Sequence, residues 1–282
     1  MISTADYEFL QRFLKSRSGL SLSAEKHYLL ESRLMPVARS VGCGSLSELA
    51  QLLRRPGQDA AGERVVDAMT TNESLFFRDK HPFEAFTGRM LPYLLSKRSM
   101  HQPIRIWCAA ASSGQEPYSL AMLLQENAAL VAGRRFEIIG TDISSDILDR
   151  ARKGIYSQFE VQRGLPVHYL VRYFSKVGDD WQVSEKIRNA VTFRKMNLLD
   201  PFAGMGPFDI VFCRNVLIYF DNERKVDVLQ RLAKVMHTDS FLVLGGAESV
   251  IGLTDTFELE GTHRCLFKPK AQASTPAMAF AR

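Results

Sequence analysis

The sequence predicts an α/β protein built on a doubly wound sheet, with an N-terminal helical domain and a small antiparallel β insertion. Three patterns carry this prediction. An apolar run at 104–108 is typical of a buried parallel strand and leads, through a run of small residues, into an amphipathic helical pattern. A second apolar run at 136–142 ends in an acid, and the first 70 residues show helical periodicity.

Composition is that of a soluble chain with a full core. The 282 residues are 46% hydrophobic and 24% charged, and ~150 residues per domain suggests two domains. Residues 1–75 hold nine basic and nine acidic side chains, so the net charge of +5 arises beyond them; residues 146–195 hold ten basic and six acidic side chains. This predicts either a mildly basic face for an acidic partner or a scattered solvated surface. Nucleic-acid surfaces show denser basic clusters, so no nucleic-acid partner is expected.

The four cysteines, Cys43, Cys108, Cys213 and Cys265, form no CxxC pair and have no histidine at metal-ligand spacing. Cys108 and Cys213 lie in apolar strand patterns and are predicted to be buried thiols. This cysteine pattern fits a protein of the reducing cytoplasm. The N-terminus lacks the basic and apolar regions of a signal peptide, and no apolar stretch approaches the ~18 residues of a membrane span. We therefore expect a cytoplasmic protein without metal and without membrane insertion.

The N-terminal 70 residues predict four helices. Their predicted bounds are Asp6–Lys15, a helix capped by Ser23 that runs through Arg39 and is kinked by Pro36, Ser45–Leu53, and about Glu63–Met69.

The segment 71–86 predicts a linker and a further helix. Asn72 and Ser74 are good cap residues for that helix. Arg78 would then lie near its first turn, where a positive charge is mildly unfavourable. We therefore expect Arg78 to have a negatively charged partner, either a ligand or a surface carboxylate.

The segment 104–118 predicts a strand, a tight loop of small residues, and a helix in which Pro117 is the first residue. Asp142 ends the next strand, at the edge where such sheets bind ligands and where an acid can accept both ribose hydroxyls. Gly114 is the only glycine of the loop, so a diphosphate such as that of NAD is disfavoured. A ribose without a diphosphate, as in S-adenosylmethionine (SAM), fits better. Alternatively, Asp142 merely caps the next helix.

Beyond Asp142 the βα pattern continues with one interruption. The predicted elements are a helix at Ser145–Lys153, an insertion at 154–190 with short helices and two strands around Gly178–Asp180, strands at Val191–Asn197 and Phe208–Asn215, a helix from Asn222 to about Met236, a strand ending at Gly245–Gly246, a last strand from Thr262, and a disordered tail beyond Pro269.

Five segments together, TTNESLFFR, WCAAASSGQEPYSLAM, GTDIS, NLLDPF and FDIVFCRNVLIYFD, resemble the CheR family of chemotaxis receptor methyltransferases. The resemblance runs from Asp6 to Phe267. It implies the SAM-dependent methyltransferase fold and four parts of the chain: an N-terminal helical domain at 1–70, a linker and helix that reach the cofactor site at 71–86, a SAM-binding catalytic domain at 87–268 with its insertion at about 154–190, and the tail at 269–282.

The resemblance implies that the protein transfers a methyl group from SAM to glutamate carboxylates of chemoreceptors, giving methyl esters and S-adenosylhomocysteine (SAH). The partners would be the receptors' cytoplasmic signalling domains, with Lys26, Arg33 and Arg39 as candidate contacts. Some family members bind a tethering peptide from the receptor C-terminus on the insertion; here the hairpin around Gly178 is shorter, which argues against tethering. The alternatives are a methyltransferase of RNA or a small molecule, and a non-catalytic SAM-binding signalling module.

The same resemblance assigns the site residues. Arg78 and Tyr219 would lie beside the transferred methyl group. The residues implied to bind the cofactor are Asn72, Ser74, Arg78, Glu116, Asp142, Asn197, Leu198, Arg214 and Asn215. Among these, Glu116 would bind the methionine amine and Asp142 the ribose. On sequence pattern alone, Tyr219 is better explained as a packed aromatic residue after a strand, Asn215 is equally a turn or capping residue, and Asn197 is equally a turn residue at a strand end.

Overall fold

The structure of the protein, a computed structural model, describes residues 2–22, 27–261 and 263–270. Within this range the first four helices pack on one another around a separate apolar core that includes Leu10, Leu34 and Val65. Ser3 and Ser45 cap the first and third of these helices with their side-chain oxygens, and Gly19 ends the first in the left-handed conformation at φ 75°. The helices are α1 Thr4–Ser18, α2 His27–Ser40, α3 Leu46–Leu53 and α4 Asp59–Met69.

The four predicted helices are present, but α1 begins two residues before Asp6 and ends three residues after Lys15, and α4 begins four residues before Glu63. Helix α2 continues through Pro36. The predicted cap Ser23 and the candidate partner contact Lys26 lie outside the described residues.

The prediction that Asn72 and Ser74 cap the helix that follows them is wrong. Residues 71–75 have no regular structure, and the next helix begins only at His81. Phe76 and Phe77 are buried in the main core, and the chain turns sharply around them, with left-handed backbone at Phe77, Asp79 and Lys80. The turn prevents the cap residues from starting a helix.

The central sheet has the strand order β6-β2-β1-β7-β8-β10-β9. Strands from β6 to β8 are parallel, whereas β10 pairs antiparallel with both β8 and β9. This confirms the doubly wound α/β fold. Its strands, numbered along the whole chain, are β1 Ile104–Ala109, β2 Phe136–Asp142, β6 Val191–Lys195, β7 Phe208–Cys213, β8 Met236–Leu244, β9 Phe257–Leu259 and β10 Leu266–Pro269.

Helices cover both faces of this sheet, and two apolar clusters fill the space between them. The helices of this part are α5 His81–Ala85, a π-helical turn Phe86–Met90, α6 Leu91–Lys97, α7 Gln115–Glu126, α8 Ala128–Val131, α9 Ser145–Lys153 and α13 Asn222–Lys234. Helix α7 begins two residues before Pro117, so the prediction that this proline is its first residue is wrong.

The interruption of the βα pattern is a small antiparallel sheet with the order β3-β5-β4, as predicted except for the extra strand β3. The buried Tyr156 hydroxyl donates to the Ser113 carbonyl at 2.6 Å, which ties this insertion to the loop after β1. Its elements are β3 Ile155–Tyr156, α10 Gln158–Gln162, α11 Val167–Tyr173, β4 Phe174–Val177, β5 Asp180–Val183 and α12 Glu185–Arg188.

Two further differences concern the C-terminal part. Residue Met236 begins β8 rather than ending a helix, and the three-residue strand β9 was not predicted. The tail predicted to be disordered, and Thr262 at the start of the predicted last strand, lie outside the described residues except for 269 and 270.

Candidate functional site

A cavity lies at the carboxyl edge of the parallel strands. The chain runs from β1 to β2 and β6 on one side and then crosses to β7 on the other, so β1 stands at the topological switch point, where α/β sheets bind ligands. The lining residues come from four loops of the sheet and from the helical part: Ser18, Leu20, Met69–Leu75, Arg78, Ala110–Ser112, Glu116, Asp142, Ile143, Met196–Leu198, Arg214–Val216, Tyr219 and Phe220.

The loop after β1 is strained. Ala110 and Ser112 have φ of 62° and 51°, and Gly114 has φ of 93°. The left-handed region is uncommon for residues other than glycine, and such strain gathers at functional sites. The Ser112 hydroxyl donates to the Asn72 carbonyl at 2.9 Å, so this loop holds the linker that forms the opposite wall.

Asp142 ends β2 with its carboxylate at the cavity. One oxygen accepts the Ser112 N–H at 2.8 Å and the other the Ser144 N–H at 3.1 Å. A carboxylate has about four acceptor positions, so each oxygen retains capacity for a ligand hydroxyl. Burial raises the pKa of Asp142, and the backbone N–H groups partly oppose this shift.

Arg214, at the end of β7, is the centre of a buried ion cluster. Its Nη1 donates to Glu116 at 2.7 Å, and its Nη2 donates to Asp79 at 2.8 Å and to the Arg78 carbonyl at 2.9 Å. The third nitrogen, Nε, is buried without a partner among the described residues. Arg134 also has an unpartnered Nε, but it holds backbone carbonyls such as that of Ser99 and does not line the cavity.

Arg78 lies outside a helix terminus, because α5 starts three residues after it, so the predicted helix-dipole misfit does not apply. The half-buried guanidinium donates from Nη1 to the Glu73 carbonyl at 3.0 Å. No carboxylate pairs with it among the described residues. Ser74 lines the same wall.

Asn215 and Tyr219 belong to the turn after β7. Asn215 is left-handed, with φ of 57°, and Tyr219 lies in a 3₁₀ turn at Leu217–Tyr219. The backbone of this turn is held by the carboxylate of Glu248, which accepts N–H groups from Asn215, Val216 and Ile218 at 2.7–3.2 Å. Glu248 was missed in the sequence, where it is one acid in a loop after a strand.

The C-terminal end of α1 closes one side of the cavity. Asn197 donates from Nδ2 to the Arg17 carbonyl at 2.6 Å, and the Ser21 N–H donates to the Tyr219 carbonyl at 2.9 Å. Leu198 is buried beneath this contact. The sequence pattern carried no signal for this wall, because it depends on how the helical part docks on the sheet.

The structure thus brings all ten predicted site residues to one cavity. Their individual roles remain predictions. Residues that lie there without having been predicted include Ser18, Leu20 and Phe220, and Asp79 supports the wall through Arg214.

The chemistry of the cavity favours binding and placement over proton transfer by histidine or attack by cysteine. Among the described residues, its lining contains neither residue type. Cys108 and Cys213 are buried, as predicted, and burial raises the pKa of both thiols well above the ordinary value. Within the described ranges, every helix is too short or too polar to span a bilayer.

Comparison with known proteins gives two family matches that together cover most of the chain. Residues 5–70 match "CheR methyltransferase, all-alpha domain", and residues 72–266 match "CheR methyltransferase, SAM binding domain". Chemotaxis protein methyltransferase 1 of Pseudomonas aeruginosa is 42% identical over 261 residues, which are 91% of this chain and 94% of that protein. A chemotaxis protein methyltransferase of Vibrio parahaemolyticus is 41% identical over 261 residues, 92% of this chain and 94% of that protein.

Proposed function

Because this chain belongs to the CheR methyltransferase family and is a SAM-dependent methyltransferase of chemoreceptors, we propose that it esterifies glutamate side chains on their cytoplasmic signalling domains, for sensory adaptation. The protein would act in the cytoplasm. We further propose that residues 1–70 form a helical domain, that 71–86 link it to the cofactor site, and that 87–268 form the catalytic domain.

The observation that best supports this proposal is the division of polar groups within one cavity. Asp142 offers spare acceptor capacity at the end of β2, and the Glu116–Arg214 pair offers opposite charges on the other side of β1. These groups match the ribose hydroxyls and the amino-acid end of SAM, whose ammonium suits Glu116. Arg214 would hold the Glu116 carboxylate in place through the 2.7 Å hydrogen bond between them. Asn72, Ser74, Asn197, Leu198 and Asn215 would complete the binding surface.

When bound, SAM would supply a methyl group on a positively charged sulfur. An oxygen of the acceptor carboxylate would bond to the methyl carbon as the bond from that carbon to sulfur breaks, which gives the methyl ester and SAH. A glutamate is already ionised at neutral pH, so the protein needs no general base. In keeping with this, the described residues of the lining include no histidine. What the chain supplies is placement of the two reactants.

Arg78 and Tyr219 are proposed to receive the acceptor. Arg78 has one nitrogen committed to the Glu73 carbonyl and no carboxylate partner in the described range, so its remaining N–H groups are available to a glutamate. The Tyr219 hydroxyl makes no hydrogen bond with described residues and borders the same cavity. Together they would orient the acceptor without neutralising it fully.

The partner-facing surface is proposed to include α2. Arg39 is exposed there, and the acidic receptor bundle expected from the family would complement it. Arg33 instead donates to the Met69 and Thr70 carbonyls at 3.0 and 3.2 Å, so it also fixes the linker to the cavity. We expect no tethering peptide, because the β4–β5 hairpin has only four residues in each strand.

The proposal is tested by incubating the purified protein with methyl-labelled SAM and membranes that contain chemoreceptors. We expect label in the receptor band that is released by mild base, as a glutamate methyl ester requires. Membranes without receptor, and receptors whose acceptor glutamates are changed to alanine, are the controls.

The same assay separates the alternatives. Base-stable label in RNA or in a small molecule would replace the receptor assignment with another methyltransferase substrate. Binding of SAH by calorimetry without any transfer would leave a non-catalytic signalling module.

A further inference from the structure

Glu248 is a buried carboxylate that accepts four backbone N–H groups. Its Oε2 accepts those of Asn215 at 2.7 Å and Gly245 at 2.8 Å. Its Oε1 accepts those of Val216 at 3.0 Å and Ile218 at 3.2 Å. All four donors are main-chain groups, and no cation pairs with this carboxylate among the described residues. The side chain therefore occupies an anion-binding nest made by its own chain.

Three of the four donors belong to the turn that follows β7. This turn leaves the sheet through the left-handed Asn215 and closes with the 3₁₀ turn that carries Tyr219. The three N–H groups have no other partner given by the structure. Without Glu248 these part-buried hydrogen bonds would lose their charged acceptor, and hydrogen bonds to charged groups are the more stabilising ones.

Glu248 does not line the cavity, whereas Asn215 and Tyr219 do. It sits behind the turn, at the end of the next strand of the sheet. The fit is tight: a Cβ on Gly245 would lie 2.8 Å from Glu248 Oε2, 2.8 Å from Asn215 Nδ2 and 3.0 Å from Asn215 N. Glycine is therefore required where the carboxylate and the turn meet.

We infer that Glu248 is a positioning residue for methyl transfer, which sets the placement of Asn215 and Tyr219 by holding the backbone between them. This inference rests on the proposed function and extends it to a residue that does not contact the reactants. Glutamine at 248 keeps the shape, but its NH₂ group cannot accept from two N–H groups. The turn must then shift, and small shifts of placement lower turnover strongly.

The first test compares Glu248→Gln with wild type in the receptor methylation assay, with kcat counted per SAH-binding site measured by calorimetry. We expect kcat to fall on the order of 10²-fold. The KM for receptor is expected to stay unchanged, because α2 is not touched. Counting by binding site removes the effect of unfolded protein.

The matched control is Asp209→Asn. Asp209 is another buried carboxylate that accepts a backbone N–H, that of Arg105 at 2.8 Å, but at the opposite edge of the sheet. The Asp209→Asn variant is expected to be less stable than wild type and to keep the wild-type kcat per SAH-binding site. If Glu248→Gln behaves in the same way, with wild-type kcat per site, the positioning role is refuted.

Gly245→Ala decides the question if Glu248→Gln does not fold. It leaves the carboxylate in place but pushes a methyl group against it, and we expect kcat to fall by about 10-fold. Gly246→Ala is its control, since a Cβ there meets nothing within 4 Å. Equal kcat for the two alanine variants would overturn the inference. Inactive wild-type protein would instead overturn the proposed function.

Discussion

Two arginine–carboxylate clusters lie at opposite edges of the central sheet, and they are built differently. At the amino edge, all three nitrogens of the Arg98 guanidinium donate to Asp209 or Asp239. At the carboxyl edge, Arg214 binds Glu116 and Asp79 but leaves Nε without a partner. The first cluster satisfies its whole guanidinium group, whereas the second leaves one buried nitrogen without a partner among the described residues.

The surroundings of the clusters differ in the same direction. Around Arg214 the backbone is left-handed at Asp79, Ala110 and Asn215, and burial raises the pKa of the nearby Asp142. Such features lower stability and are retained where a ligand later compensates for them. The comparison suggests that the amino edge supports the fold and that the carboxyl edge supports the chemistry.

The largest expected effect is on stability at the amino edge. Asp209→Ala removes one partner of the buried Arg98, whose side chain is 9% exposed, and should lower the free energy of unfolding by about 3–5 kcal/mol. Urea unfolding measures this loss. The SAH affinity of the folded protein should not change; a parallel loss of affinity would break the distinction between the edges.

At the carboxyl edge, Arg78→Ala should lower kcat on the order of 10²-fold at saturating SAM and receptor, since it removes the cation proposed to hold the acceptor. Stability should change little, because Arg78 makes one hydrogen bond to a carbonyl. Lys97→Ala, which removes an exposed cation of α6, is the control. Unaltered kinetics would make Arg78 a structural residue.

Asp142→Ala should weaken SAH binding by about 10- to 100-fold, as loss of hydrogen bonds to a charged group predicts. Calorimetric titration of wild type and variant measures it. If the two affinities agree, the proposed ribose contact is wrong.

A smaller effect concerns how the stability of the carboxyl edge depends on pH, and it sharpens the comparison of the two edges. The pKa of Asp142 is raised above its ordinary value of 3.8 by burial. Its contribution to stability is therefore full below that ordinary value and is lost as pH rises through the higher folded value. In ligand-free protein, the stability of Asp142→Asn relative to wild type should therefore increase as pH rises above the ordinary Asp pKa of 3.8. Urea unfolding at several pH values measures the free energy of unfolding of both proteins. A difference between them that does not change with pH would contradict this expectation.

The sequence predicted the repetitive parts of the fold well. Strand β2 and helix α9 have the predicted bounds, because apolar periodicity and the capping residue Ser144 act locally. The prediction that a helix begins after Ser74 was wrong, because the burial of Phe76 and Phe77 in the main core overrides the local capping signal. Strand β9 is three residues long and leaves almost no periodicity to detect.

The site was predictable to different depths. Pattern alone placed the loop after β1 and Asp142 at the ligand edge, and the resemblance supplied the other predicted site residues. Neither supplied Ser18, Leu20 or Phe220, which also line the cavity. Neither pointed to Glu248, whose partners are main-chain groups about 30 residues earlier in the chain. Contacts of a side chain with distant backbone leave no mark in residue spacing, so only the folded arrangement displays them.

The contact between α1 and the turn at Tyr219 has a consequence for how the two parts of the protein respond to product. Ser18 and Leu20 from one part and Tyr219 from the other border the same cavity, so a molecule bound there touches both. Its binding energy then opposes their separation as well as their unfolding. SAH that remains after a turnover would hold the helical part against the sheet, and cleavage by a protease between α4 and α5 would slow as SAH accumulates.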